Sequence, residues 1–474
     1  MKICALDIGT SRIKAALFSE TGEMLSLVSQ RLPRASSPHT QDAEAWYSIS
    51  AQLLRELKKK ASPDAIVLTG NMHALLGVDR EGNPVENAVL WSDQSAQKES
   101  DELNARFGNT LLDDFGNRSI PVFTLPKIMK MKRERESLYR KTAKFLQSKD
   151  FVTLRLTGNA VTDPSDASGT LLMRYGSNAW AEDLCGELEI DPGKLPEILP
   201  SCSVCGHVTK RAAKETGIAA GTPVITGCGD LASAALGSGV NERTFSLTLG
   251  TAGQLLASGK ERRSMLAGKV FVFAHADPEQ ELYLGSIPSG GFTFEYLSNL
   301  HNIPVSEFFH EAEKVPLSPD LPLFFPYILG KGAPSMQYES CGAWFGLSAA
   351  HTLPHLCRSA VFGVLASLQE NSELLRSLGL KGDRLVLQAL ACREKVVRET
   401  ANALFPQEKF LPENSEASLL GAAVIAFSAL KVFPDLSTCA EKILRSTPLP
   451  PPGKEEKSVA ELLYEKTCLY RTRI

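Results

Sequence analysis

Residues 247–257 read Leu-Thr-Leu-Gly-Thr-Ala-Gly-Gln-Leu-Leu-Ala, two short apolar strands broken by a turn of Gly250, Thr251, a small residue and Gly253. Near the start, ALDIGTSRIKAALF over residues 5–18 has the same arrangement, with Gly9, Thr10 and Ser11 interrupting a similar pair of apolar runs. Glycine permits the unusual dihedrals of such a corner and has no side chain to block an approaching anion, so backbone N–H groups there can face a phosphate. Two like turns, roughly half a chain apart, predict a two-lobed protein with one phosphate loop in each lobe.

Composition bounds what such a protein can be. At 474 residues the chain is too long for one ordinary core, and about 150 residues per domain gives two or three. A 43% hydrophobic and 22% charged composition with net charge -3 describes a soluble globular protein with no general attraction for nucleic acid. The N-terminus has only a short apolar run before Asp7, and nowhere do eighteen apolar residues follow one another, so neither export nor membrane spanning is expected and the location is cytoplasmic. The ten cysteines are scattered like reduced cytosolic thiols. Cys202, Cys205 and His207 offer three soft ligands, but a structural zinc site needs a fourth and no second Cys-x-x-Cys occurs; ordinary loop cysteines are expected.

Outward from the turns, the pattern is that of a layered α/β protein. KICALDIG (2–9), RIKAALFS (12–19) and DAIVLTG (64–70) read as strands, and residues 42–61 as an amphipathic helix. The Lys- and Arg-rich run 126–144 reads as one helix with Ile128, Met129, Met131 and Leu138 as its buried stripe and a solvated basic face. After Gly221 the pattern restarts with TPVITGCGD (222–230), a helix through residue 240, and FSLTLGTAGQLLAS (245–258). The boundary falls near Ser238 to Glu242, giving lobes of 1–240 and 241–474. The second closes with a strand at 383–390, helices at 393–405 and 415–430, and a last helix at 458–470 behind a Pro-rich break. Apart from the two turns, no internal repeat is visible.

Three groups of residues can carry chemistry. At the turns, Thr10, Ser11 and Thr251 add hydroxyl donors, Arg12 and Lys14 add positive charge, and Asp7 is placed to hold Mg²⁺ through water. Asp230 follows Gly227-Cys228-Gly229 and opens a small-residue helix; it reads either as a helix N-cap or as a base meeting a sugar hydroxyl. Gly70-Asn71-Met72-His73 and Leu90-Trp91-Ser92-Asp93-Gln94 each follow an apolar strand, and their mixture of polar and flat apolar groups suits a sugar.

In order, across nearly the whole chain, the motifs LDIGTSRIKA, GNMHALLGVDREGNPVENAVLWSDQ, GNRSIPVFTLPKI, SKDFVTLRLTG, TDPSDASGT, GTPVITGCGD, SLTLGTAG, PYILGKGAP, CGAWFGLS and SEASLLGAA resemble the FGGY carbohydrate kinases, most of all those acting on xylulose. The resemblance implies an α/β fold of two ribonuclease-H-like lobes, as in the actin and hexokinase ATPases, with a central cleft. It implies sugar against the first lobe and ATP against the second. By similarity Asp230 is the general base; Asp7, Gly9, Thr10, Ser11, Gly250 and Thr251 surround phosphates and Mg²⁺; and Lys14 aligns with a basic phosphate contact. Met72, His73, Trp91 and Asp93 match the sugar-side motif, and Gly291 and Gly421 match positions lining the nucleotide.

The chain also departs from the family. Where the adenosine site begins, Gln388-Ala389-Leu390-Ala391 replaces a Gly-Gly-Gly-Ala stretch, putting side chains where backbone usually approaches the nucleotide. Failure of this loop to reach its strained conformation would cost about 1–3 kcal/mol. Three arginines are replaced by Ser95, Gly332 and Cys341. The main expectation is an ATP-dependent kinase of a ketose or related polyol, such as xylulose, ribulose, sedoheptulose or gluconate. A rival is a sugar sensor or scaffold that has lost nucleotide binding. A nicotinamide oxidoreductase is excluded for want of a strand-linked Gly-x-Gly-x-x-Gly. Whether the chain forms a homodimer is left open.

Overall fold

The computed structural model describes residues 1–33, 37–260, 263–337 and 339–471. All strands of one large sheet precede Asp230, and all strands of the other follow Asn241. The first contains β1 (Lys2–Ile8), β2 (Arg12–Ser19), β3 (Met24–Arg31), β4 (Ala65–Gly70), β5 (Val204–His207) and β6 (Pro223–Gly229), in the order β5-β6-β4-β1-β2-β3. The second contains β7 (Thr244–Leu249), β8 (Gly253–Gly259), β9 (Phe271–Ala274), β10 (Glu281–Ile287), β11 (Arg384–Ala389), β12 (Glu408–Pro412) and β13 (Ser446–Pro448), in the order β9-β10-β8-β7-β11-β12-β13.

Apart from the extra edge strand β9, the two sheets repeat one another. In each, two hairpins run antiparallel from a central strand, two further strands lie parallel on its other side, and an antiparallel strand closes that edge. The repeat is carried by strand pairing, and only its two glycine corners are visible in the sequence. β4 and β6 are buried along nearly their whole length, as parallel strands covered on both faces must be.

Helix α1 (Ala43–Lys58), capped by the Asp42 carboxylate on the Glu44 amide, packs its Trp46, Leu53 and Leu54 face on the first sheet. The lobes meet through α2 (Asp230–Gly237) and α3 (Ala417–Ala429), which cross at Gly237 and Gly421. A methyl group on Gly421 would lie 1.8 Å from the Ser233 carbonyl oxygen, and one on Gly237 would lie 1.9 Å from that of Ala417. Only hydrogen fits at either position. α3 comes from the second half of the chain, yet its Leu419–Phe427 stretch joins the apolar core of Ile3, Ala5 and Val67 in the first sheet. The boundary in the chain is thus not a boundary in the packing.

The run 126–144 differs from the expected single helix. It forms helices Thr124–Glu134 and Glu136–Lys141, broken at Arg135, whose guanidinium leaves the helix line to pair with Glu86; Lys144 already begins a strand. Ile128 and Met131 are buried as the stripe requires, but so is Lys127. Among the described residues no helix is long and apolar enough to cross a membrane.

Candidate active site

Three parallel strands of the first sheet end side by side, with Ile8 in register with Gly70 and Gly70 with Gly229. From these ends the chain delivers Asp7, the Asn71-Met72-His73 segment and Asp230 to one edge. Asp230 is aimed by a bulge: β6 slips one residue against β4 between Ile225 and Cys228, and Gly227 sits there at φ +70, where a methyl group would meet the Leu68 carbonyl. The next fixed point is Gly229, whose N–H donates to Ser165 Oγ at 2.9 Å, while Ser165 Oγ donates to Asp163 at 2.6 Å. Asp163 belongs to a buried ionic cluster in which Lys149 Nζ lies 2.7, 2.9 and 3.1 Å from Asp150, Asp163 and Asp166. Burial works against the Lys149 charge, but the three carboxylates overcome it and hold its pKa well above the usual value. The N-cap of α2 is Gly229, so Asp230 is the first helical residue rather than the cap.

Asp7 and Asp230 are both hard to ionise. Burial raises the Asp7 pKa to about 6, with Lys14 opposing and Glu416 adding to the rise, and its Oδ1 has no hydrogen-bond partner. Burial first and the Asp7 charge second raise Asp230 to about 7 against the pull of the first α2 amides. Two partly buried carboxylates, one raised by the charge of the other and one with an orphaned oxygen, fit a divalent cation between or beside them.

The first turn has its carbonyls satisfied from within the lobe: Ile8 by the Asn71 N–H and Nδ2, Thr10 by Gln41 Nε2, and Ser11 by the Leu32 N–H. Trp91 Nε1 donates to Thr10 Oγ1 at 3.0 Å, which leaves the Thr10 hydroxyl proton for another acceptor. Anion recognition at this turn therefore falls to its amides and hydroxyls. Beside it a recess of about 660 Å³ is lined by Thr10, Ser11, Arg12, Arg31 and Gln41 among others. Arg12 itself donates to Ser29 on β3, and Lys14 pairs with Glu416 at 2.5 Å, linking the two halves of the chain.

In the second lobe, the turn after β7 is bound to the head of the helix Gly291–Leu300: Gly291 N–H donates to Gly250 O at 2.7 Å and Phe292 N–H to Thr251 O at 3.0 Å. Leu390 Cδ1 lies 3.1 Å from the place a Gly291 Cβ would occupy, so Gly250, Gly291 and Leu390 converge. Thr251 is exposed there. Ala389 adopts φ +53, ψ -126, so the non-glycine loop does take up a conformation that L-residues rarely adopt. Gly421 lies instead at the helix crossing, with Ser233 against it.

On the sugar side, Met72 is buried and His73 sits at φ +65 between Phe123 and Phe273, with ring centroids 5.1 and 5.6 Å away. Burial lowers the His73 pKa to about 4; the neutral ring donates Nδ1–H to Gly169 O at 2.7 Å and keeps Nε2 as an acceptor. Trp91 is 45% exposed, and Asp93 accepts from the Ser95 N–H and hydroxyl. Two contributors were not singled out from sequence. Lys127, 3% exposed, donates to His73 O, Leu90 O and Val122 O at 2.8–2.9 Å and so ties both sugar-side loops together. The nearest signal in the sequence was its place directly before Ile128 of the apolar stripe. The other is β9 of the second lobe, which brings Phe273 to His73 and is clamped by Asn117, whose amide donates to Val272 O at 2.6 Å.

Comparison with known proteins agrees with this architecture. Residues 2–237 match the N-terminal domain of the FGGY family of carbohydrate kinases, and residues 246–430 match its C-terminal domain. The chain is 28% identical to the xylulose kinase of Bacillus subtilis (strain 168) over 454 residues, 94% of this chain and 91% of that one. In fold it superposes on a ligand-bound xylulose kinase from Lactobacillus acidophilus (TM-score 0.92, 22% identity, 100% and 98% of the two chains). It superposes equally on a gluconate kinase from the same organism (TM-score 0.91, 21% identity, 100% and 98%). With both family domains present in order over paired α/β sheets, the chain belongs to the FGGY family of carbohydrate kinases and is an ATP-dependent sugar kinase.

Proposed function

We propose that the protein phosphorylates a hydroxyl of a neutral ketose, xylulose first, with Asp230 as general base. The observation that carries this is the Asp230 carboxylate, partly buried at a strand end with its pKa raised to about 7, where a base both accepts and releases a proton readily. As the sugar oxygen attacks the γ-phosphorus, Asp230 takes the hydroxyl proton and ADP leaves. The remaining roles are positioning and charge stabilisation, which dominate phosphoryl transfer. In this reading the Thr10, Ser11 and Thr251 turns grip the phosphates from opposite lobes, and the sugar lies against Met72, His73, Trp91 and Asp93. Asp7 would hold Mg²⁺, which neutralises charge on the phosphate oxygens when bound.

Preference for a neutral sugar over an acid such as gluconate rests on charge. Of the four sugar-side residues one is an acid, His73 is neutral, and the nearby Lys127 ammonium is engaged by three carbonyls. The strained Ala389 loop speaks against a sensor that has lost its nucleotide site, because the conformation is kept despite its cost. Purified protein with ATP, Mg²⁺ and D-xylulose, D-ribulose, sedoheptulose or gluconate should form ADP only with a sugar present and fastest with xylulose. Fastest turnover of gluconate would refute the charge argument.

A further inference from the structure

Gln388, where the family has glycine, is buried at the end of β11 and reaches across to the first lobe's helix. Its Nε2 donates to Ser238 Oγ at 2.9 Å, and Ser238 Oγ donates to the Ala234 carbonyl at 2.7 Å. Ser238 caps the C-terminus of α2, the helix that begins with Asp230. On the other side, Gln388 is held in register with Thr248 of β7, two residues before Gly250, and is followed at once by the strained Ala389. One side chain therefore joins the loop at 389–391 to the helix that carries the carboxylate. The hydroxyl has both roles filled, with its proton on Ala234 O and a lone pair on the Gln388 amide. Neither end is free to slide: α2 is wedged against α3 at Gly237, and Gln388 sits in the sheet. A glycine at this position has no side chain with which to make the connection.

We propose that Gln388 is a positioning residue that couples occupation of the nucleotide loop to the order of the Asp230 helix. The inference rests on reading 389–391 as nucleotide-binding and Asp230 as the base. Nucleotide that fixes the loop fixes β11 at its end, and through Ser238 and the Ala234 carbonyl it restrains α2, the helix that Asp230 opens, at its C-terminal turn. Coupling between two sites of this kind commonly amounts to about fivefold or more.

The test is amide hydrogen exchange of the whole protein with and without β,γ-imido-ATP and Mg²⁺, beside steady-state kinetics. In the wild type the analogue should slow exchange within residues 230–238 by about fivefold or more. Q388A and S238A should each lose that slowing while still binding the analogue, Q388A,S238A should lose no more than either, and S238T, which keeps the hydroxyl, should retain it. In Q388A kcat should fall while the ATP KM stays within about twofold. Bound analogue with no effect on the helix, or slowing that survives in Q388A, overturns the inference and leaves the kinase reading intact. Slowing that depends on Gln388 in a protein that turns over no sugar of the panel overturns the functional reading and leaves the link standing. An analogue that fails to bind at millimolar concentration overturns both.

Discussion

Asp7, at the end of β1, raises the proton affinity of Asp230, at the head of α2, so the two carboxylates share one electrostatic environment. Burial contributes first to each shift; the Asp7 charge comes second for Asp230, whereas for Asp7 the next influences are Lys14, which opposes the rise, and Glu416, which adds to it. Neither acid bonds the other, and what holds them together is the alignment of Ile8, Gly70 and Gly229. An arrangement that keeps two acids close to neutral pH and unpaired is unfavourable for the empty protein and favourable for one that binds a cation and accepts a proton.

A base must be ionised to work, so kcat/KM should rise with pH along an acid limb whose midpoint lies near 7 in the absence of bound Mg²⁺ and lower when the cation is bound. The measurement is kcat/KM for the sugar between pH 5 and 9 at several Mg²⁺ concentrations. A flat profile across that range would remove Asp230 from the role of base.

The same shift has a stability consequence. Because the folded pKa of Asp230 is raised from 3.8 to about 7, its contribution is fully present below the unfolded value and is lost as pH rises through the folded one. D230N should therefore match the wild type near pH 4 and exceed it above pH 7 by at most about 4 kcal/mol, at about 1.36 kcal/mol per unit. Urea titrations of the metal-free protein at both pH values read the difference.

Much of this was legible in the sequence because glycine corners and apolar runs are local signals. The two turns, the strands around them and the placement of Asp7 and Asp230 at strand ends all follow from neighbours in the chain. The duplicated sheet topology was legible only through the family resemblance and not from the residues, since it is made by pairing between distant strands whose side chains share only an apolar character. α3 reads as a second-lobe helix, yet it packs on Ile3 and Val67, and nothing local records that choice. Lys127 was hidden for a related reason: a basic residue in a Lys-rich run looks solvated until the carbonyls of three separate segments close around it.

Ala389 sits at φ +53 without the freedom of glycine, so A389G should relieve strain in the folded state. Glycine also loosens the unfolded chain, by about 0.4–1 kcal/mol, and the strain relief should exceed that. The expected outcome is a net gain of about 1 kcal/mol, measured as a rise in Tm, with an ATP KM equal to or below that of the wild type. A clear loss of stability would show that Ala389 is unstrained.

K127M keeps the side-chain length and deletes the ammonium, taking the donor from the His73 and Val122 carbonyls and leaving Leu90 O only the Asp93 N–H. An orphaned buried acceptor costs about 1–3 kcal/mol, so chemical denaturation should show a loss of at least that much. Since the carbonyls of His73 and Leu90 belong to the sugar-side loops, the sugar KM should rise more than the ATP KM. Equal rises in both would make Lys127 a general stabiliser with no bearing on the sugar side.

The most direct test of the central claim is a coupled ADP-release assay with ATP, Mg²⁺ and D-xylulose, run in parallel on the wild type and on D230A. ADP should form only when sugar is present, and D230A should be slower by about 10²- to 10⁴-fold with the ATP KM little changed. A D230A enzyme as fast as the wild type would contradict the account.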